Sequence, residues 1–370
     1  MPAPRAGRGR RSPTPQQIKC SREYAVTHQF SSVVRADYCA TARRYLYALL
    51  LSGGAQSVLA DHPTVAFGSE ATGPINTIAA TPMPVGKWAI GLRNEFIQRD
   101  ALADDRLAGF AAQGIEGVHS VDTINSASLA VAYGLSDALT LSVRLPWVAR
   151  AEIREGELED GEAEAHNHGD ASGIGDLVAL GNWRALHSDD FDAALQLGFK
   201  APTGETEEVD GAERLESEFQ PGSGSWDLLV GGALSRMLGR WSVHSNILFN
   251  LSSEGAQNTA IGDALFYNLA AVYVLNGDQD HHGHDDAAAH KHWRFDAVLE
   301  INGETRWKNK IAGVDEDNSG GTVIYLSPGL RASFGRMGGF ISAGLPVLDD
   351  PNGVQTDIDF RLVGGMSFLF

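Results

Sequence analysis

"DIDFRLVGGMSFLF", residues 357–370, ends the chain and decides how the rest is read. In steps of two, Phe370, Phe368, Met366, Leu362, Phe360 and Ile358 fall on one face. Asp357, Asp359, Arg361 and Ser367 fall on the other. Successive side chains of a strand point to opposite faces, so the alternation predicts a strand with one apolar side and one polar side.

The same period recurs upstream in "ALTLSVRLPWVAR" (138–150), "FDAALQLGFKA" (191–201), "RWSVHSNILFNLS" (240–252) and "HWRFDAVLEINGE" (292–304). A soluble sandwich alternates too, but with shorter strands. Here the runs reach ten or more residues, with aromatics near the ends of the apolar face. That pattern suits a membrane barrel, apolar outside and polar inside, closed so that no edge is left unpaired in lipid. The expected fold is all-β: a transmembrane antiparallel up-and-down β-barrel. Twelve strands are expected at 86–98, 122–135, 138–153, 173–186, 190–202, 223–237, 240–252, 263–275, 292–306, 321–334, 338–348 and 354–370. The odd-numbered connections up to the ninth are long or acidic. The second, fourth, sixth and tenth are tight: "LSDA", "LHSDD", "MLGRW" and "FGRMG". Outer-membrane barrels have long external loops and short periplasmic turns. The last strand, ending in Phe370 with Phe368 and Met366 before it, resembles the signal read by the barrel-assembly machinery of Gram-negative outer membranes.

The first 60 residues differ. Nine of the chain's 29 basic residues lie there but only two of its 47 acidic ones, together with both cysteines. Residues 42–60, "ARRYLYALLLSGGAQSVLA", have a basic start, a short apolar run and small residues at the end, the pattern of a secretory signal peptide. Residues 1–41 read as an extension outside the fold, 61–85 as an N-terminal segment able to plug a lumen, and 86–370 as the barrel. From Asp61 onward the chain has 20 basic and 45 acidic residues, a net charge of about −25, and no cysteine. So acidic a chain is a poor nucleic-acid binder. Its expected partners are outer-membrane lipid, the assembly machinery, and small solutes or metal ions.

"NGDQDHHGHDDAAAHKHW", residues 276–293, forms the eighth connection, the one long loop on the tight-turn side. His281, His282, His284, His290 and His292, with Asp280 and Asp285, offer imidazole and carboxylate donors suited to Zn, Cu, Ni or Co. The irregular spacing writes no fixed tetrahedral site. The tract reads either as a periplasmic metal-collecting loop or as a solvated loop; no cofactor is required. His166 and His168 form a second pair in the third connection. The polar face expected to line the lumen carries Arg93, Glu95, Arg144, Asp176, Arg184, Lys200, Asp227, Arg294, Asp296, Glu300, Asp357, Asp359 and Arg361. Opposite charges there can pair and fill the barrel, or can line a polar conduit.

Four stretches are informative together: "FGSEATGPINTIAATPMPVGKWAIGLRNEF" (67–96), "SGIGDLVALGNWRAL" (172–186), "LQLGFKAPTGE" (195–205) and "GSGSWDLLVGGALSR" (222–236). In order and spacing they resemble the outer-membrane "MetA-pathway of phenol degradation" transporter family. The resemblance implies a channel for aromatic compounds. For members with His-rich inserts it implies a heavy-metal-associated branch with a periplasmic efflux partner. It supplies no catalytic residues. Physically, Pro202, Gly175 and Gly204 read as strand-end and rim signals.

"VHSN" (243–246) resembles the His/Ser/Asn set of the outer-membrane phospholipase, but His244 and Ser245 are neighbours on opposite faces. Only a serine on an adjacent strand would revive an enzyme. The leading function is a porin-like passive transporter linked to metal homeostasis. A closed-lumen metal-binding or structural barrel is second, and a lipid-modifying enzyme third.

Overall fold

A computed structural model describes residues 73–115, 117–159, 161–276 and 292–370. The expected extension, signal peptide and most of the segment 61–85 lie outside these residues. So do His281, His282, His284, His290, Asp280 and Asp285 of the histidine tract.

Twelve strands close a barrel: β1 Trp88–Asp100, β2 Thr123–Ser136, β3 Leu139–Glu159, β4 Leu177–His187, β5 Phe191–Ala201, β6 Asp227–Leu238, β7 Trp241–Leu251, β8 Ala264–Val274, β9 Arg294–Arg306, β10 Gly321–Phe334, β11 Met337–Pro351 and β12 Asp357–Leu369. Each pairs antiparallel with its neighbours in sequence, and β1 closes the ring on β12 from Ala89↔Leu369 to Asp100↔Asp357. No described helix is long and apolar enough to cross a membrane. The apolar residues face outward: Leu92, Leu141, Leu197, Ile247, Leu299 and Ile341 are all exposed. At the tight-turn end Trp88 packs on Tyr133, Trp241 on Tyr273 and Trp293 on Phe334, with centroids 4.5–5.3 Å apart. Phe199–Trp226 and Phe96–Phe360 mark the other end. Such paired girdles sit at the two lipid–water interfaces. Met366, Phe368 and Phe370 lie exposed on this outer face, and the Phe370 N–H donates to the Trp88 carbonyl.

Three expectations need correction. The third connection is no loop: a further strand, Glu162–Ile174, pairs with the distal half of β3 from Trp147 to Glu159 and lifts a hairpin above the barrel. The first connection contains a helix, α1, Asp104–Ala112. At the start of β12 the phase slips, because Gln98 faces Phe360 but Arg99 faces Ile358, leaving Asp359 as an extra residue. A one-residue bulge turns every side chain beyond it to the other face. Ile358 is therefore buried inside, Asp359 is exposed outside, and Asp357 is only partly covered. Neither aspartate lines the lumen, contrary to the sequence alternation.

Candidate functional site

Between the strands, the polar faces meet a piece of chain. Residues 73–85, just before β1, run through the interior and bond to inward side chains from most of the wall. Glu300 of β9, fully buried, accepts hydrogen bonds from the backbone N–H groups of Ile75, Asn76 and Thr77 and from Asn76 Nδ2, at 2.7–3.2 Å. Nearer the tight-turn end, Ile78 N–H donates to Asn246 on β7, Ala80 N–H to Ser235 on β6 and Met83 N–H to Thr140 on β3. Asn182 on β4 donates to the Ala79 carbonyl, Arg93 on β1 to that of Ile75 and Arg331 on β10 to that of Pro74. Buried backbone polar groups need partners, and here side chains supply what a strand ladder would. Gly134 allows the chain to enter, since a Cβ there would stand 2.1 Å from the Pro84 carbonyl oxygen.

The wall charges pair with one another. Arg93 and Arg361 both approach Glu95 at 3.7 Å; Arg361 also donates to Asn302 and stacks 4.0 Å above Tyr325. Arg306 pairs with Glu304, Arg294 with Asp296 and Arg184 with Asp192. Arg144 is buried among them. Beside Asn76 and Ile78 lies a void of about 20 Å³, bounded by Phe266, Asn268, Tyr325 and Arg361. That is room for about one water. Sequence reading missed Arg99, Arg331 and Arg306, all buried inside; Glu304, in phase with Glu300 on the polar face of its strand, is buried beside them. Arg331 follows Pro328 and Gly329, which blur the alternation.

Asp176 and Lys200 sit at the outer rim. Asp176 accepts from the backbone N–H groups of Gly204 and Ser223, from the Ser223 hydroxyl and from Lys200 Nζ, which also reaches Asp227 at 3.1 Å. Burial alone would raise the Asp176 carboxyl, but Lys200 and the Ser223 donors hold it below the usual range. Gly204 and Gly222 touch back to back: a Cβ on either would lie 2.6 Å from the other's Cα. The "GIGD", "PTG" and "GSGS" motifs are thus one knot that fastens the fifth connection to the rim. Above it, that connection turns inward, burying Leu215 and Phe219 against Ile97, Ile124 and Tyr325, with Arg150 donating to the Phe219 and Gln220 carbonyls.

The serine that the enzyme reading required is present. His244 Nδ1 lies 2.9 Å from Ser235 Oγ on β6, and Nε2 lies 2.9 Å from Ser242 Oγ. A base needs a third group to orient it and a route for substrate. Both ring nitrogens here meet serines, and Ser235 is already engaged by Ala80 N–H inside the barrel. The eighth connection leaves and re-enters at the tight-turn end, where Leu275 N–H donates to the Phe295 carbonyl; His292 is exposed there.

A family model, "MetA-pathway of phenol degradation", matches residues 100–350. Among solved structures, an outer-membrane channel from Pseudomonas putida F1 superposes with a TM-score of 0.53 at 17% identity, covering 79% of this chain and 98% of that one. LpxR from Salmonella typhimurium gives 0.41 at 14% identity over 77% and 100% of the two chains. The monoaromatic hydrocarbon channel CymD gives 0.35 at 10% identity over 78% and 88%. No curated protein matches the sequence significantly.

Proposed function

Because the chain belongs to the MetA-pathway of phenol degradation family and is a twelve-stranded β-barrel of the bacterial outer membrane, we propose that it is a passive conduit for small solutes, held shut at rest by residues 73–85. One observation carries this reading. The lumen segment bonds through its backbone to side chains of the wall, and not to any strand edge, so it can leave without breaking a single ladder bond. The polar wall it would uncover, with Arg93, Glu95, Asn246, Asn302 and Arg361, suits a hydrated path for small solutes.

The test is planar-bilayer conductance of the full chain beside a variant lacking residues 73–83. The conduit reading expects the variant to open in discrete steps that the full chain shows rarely. A silent variant would favour the second reading, a structural barrel closed by its own paired charges. The link to metal homeostasis rests on the composition of the eighth connection alone: its five histidines offer donors for a soft or borderline cation. Replacing His281, His282, His284, His290 and His292 by Ser should then abolish their share of Zn, Cu, Ni or Co binding; unchanged binding would remove this link and leave the conduit.

A further inference from the structure

A second group of histidines gathers at the opposite, outer end. His119 lies just before β2, its backbone in register with Glu155 on the raised hairpin. Its side chain is 7% exposed and meets the edge of Phe219 at 4.9 Å. Nδ1 lies 3.3 Å from Glu218 Oε1. Nε2 lies 3.2 Å from Glu155 Oε2 and 3.4 Å from Glu216 Oε2, yet neither contact is aligned as a hydrogen bond, and this buried nitrogen has no such partner. The same Glu155 oxygen stands 3.6 Å from Nε2 of His168, with Glu157 at 3.8 Å. His168 Nδ1 in turn faces Asp210 at 3.3 Å, and Asp210 lies 3.1 Å from His166. Two imidazoles therefore each turn Nδ1 to a carboxylate and Nε2 toward Glu155. Metal-bound histidines are oriented in this way by their outer partners.

Glu155 and Glu157 of the raised hairpin and Asp210, Glu216 and Glu218 of the fifth connection converge here, and among the described residues they pair with histidines and not with any lysine or arginine. The ligand atoms of His119, Glu216 and Glu218 lie within 4.8 Å of one another, as do those of Glu155, Glu157 and His168. Donors about 2.0–2.2 Å from one tetrahedral ion stand roughly 3.3–3.6 Å apart, and His119 Nε2 already lies 3.2 Å from Glu155 Oε2 and 3.4 Å from Glu216 Oε2.

We propose that the outer mouth binds a divalent transition-metal ion of the zinc class through His119 Nε2, Glu155 and Glu216, with His168 sharing Glu155, and with Glu218 and Asp210 holding the two imidazoles. Mixed nitrogen and carboxylate donors favour zinc and its neighbours over calcium or magnesium, which take oxygen ligands. Such an ion would tie α1's connection, the raised hairpin and the fifth connection together over the barrel.

The test uses the folded full chain in detergent with the five tract histidines changed to Ser, so that binding at the tight-turn end is silenced. Zinc is titrated by calorimetry beside His119→Gln, Glu155→Gln and, as a control far from the cluster, His187→Gln. The proposal expects saturable zinc binding that His119→Gln and Glu155→Gln each weaken by at least about tenfold and His187→Gln leaves unchanged. A large excess of calcium should not displace it. X-ray absorption of the zinc-loaded parent should show imidazole together with oxygen donors, a result that does not depend on any cluster variant folding. Zinc binding indifferent to both substitutions, displacement by calcium, or an all-oxygen zinc shell would overturn the site. The conductance outcome for residues 73–83 is untouched by any of these results.

Discussion

Two regions of this barrel gather carboxylates, and hold them by opposite means. In mid-lumen, Glu300 is fully enclosed and surrounded by N–H donors from Ile75, Asn76 and Thr77. At the outer mouth, Glu155, Glu216 and Glu218 face one another across His119. The first charge is neutralised by fixed dipoles, which neither titrate nor leave unless the chain moves. The second set relies on protons and imidazoles, which respond to pH and to metal. The lumen is therefore built for a mechanical response and the mouth for a chemical one.

The sharpest way to break this contrast is Glu300→Ala. Each backbone donor left buried and unpaired costs about 1–3 kcal/mol, so loss of three partners should free the segment. Protease sensitivity of residues 73–85 in the folded barrel should rise, and conductance steps should appear; protection equal to the parent would mean that Glu300 does not hold the segment. Next in size is Gly204→Ala at the rim, where the new Cβ meets the Gly222 backbone at 2.6 Å. Overpacking of this kind costs about 1–3 kcal/mol, seen as a lower temperature for the shift between folded and unfolded bands on gels. A normal transition would show that the knot can yield.

A smaller, local effect is expected from pH. The carboxyls of Glu216 and Glu316 are raised on folding to about 7 and about 8, so the folded mouth binds more protons than the unfolded chain. Stability from these groups is lost as pH rises through those values. His119 acts in the same direction, its stabilisation being complete below the ordinary histidine value and lost on deprotonation. Glu216 is 46% exposed, so solvent softens its share. Without metal, and after the intrinsic pH dependence of amide exchange is divided out, protection factors in 213–219 and 314–318 should be higher at pH 5.5 than at 8.5, while those of residues 75–80 stay unchanged. An equal pH dependence of protection at both ends would contradict the contrast. The smallest effect is Asp359→Asn, which should leave reversal potentials unaltered because the bulge turns Asp359 out of the lumen; a shift in selectivity would place it back inside.

How much of this the sequence discloses follows from range. Strand alternation is a two-residue signal, so twelve strands were legible, and "LSDA" or "MLGRW" marked their turns. The bulge at Asp359 was not, because one inserted residue leaves composition intact while reversing orientation. The hairpin arm "EAEAHNHGDASGI" was hidden because it rises above the apolar band, where neither face needs an apolar side chain. Glu300 was read as a lumen residue, but its donors lie 223–225 positions away, and no local spacing joins them. The same holds for His119, Glu155, His168 and Glu216, which only the folding of three connections brings together.

The seam between β1 and β12 has a consequence for how the chain is built. It joins Ala89 to Leu369, nearly the full span of the described fold, and so closes the longest loop in the molecule. Before it forms, the sheet is an open trough, and residues 73–85 can be laid against Glu300 from the side. After it forms, they can enter or leave only along the axis. Assembly thus has a preferred order, first laying in the segment and then zipping the wall, and a barrel that closed first would have to thread residues 73–85 in along its axis through the end marked by Trp88.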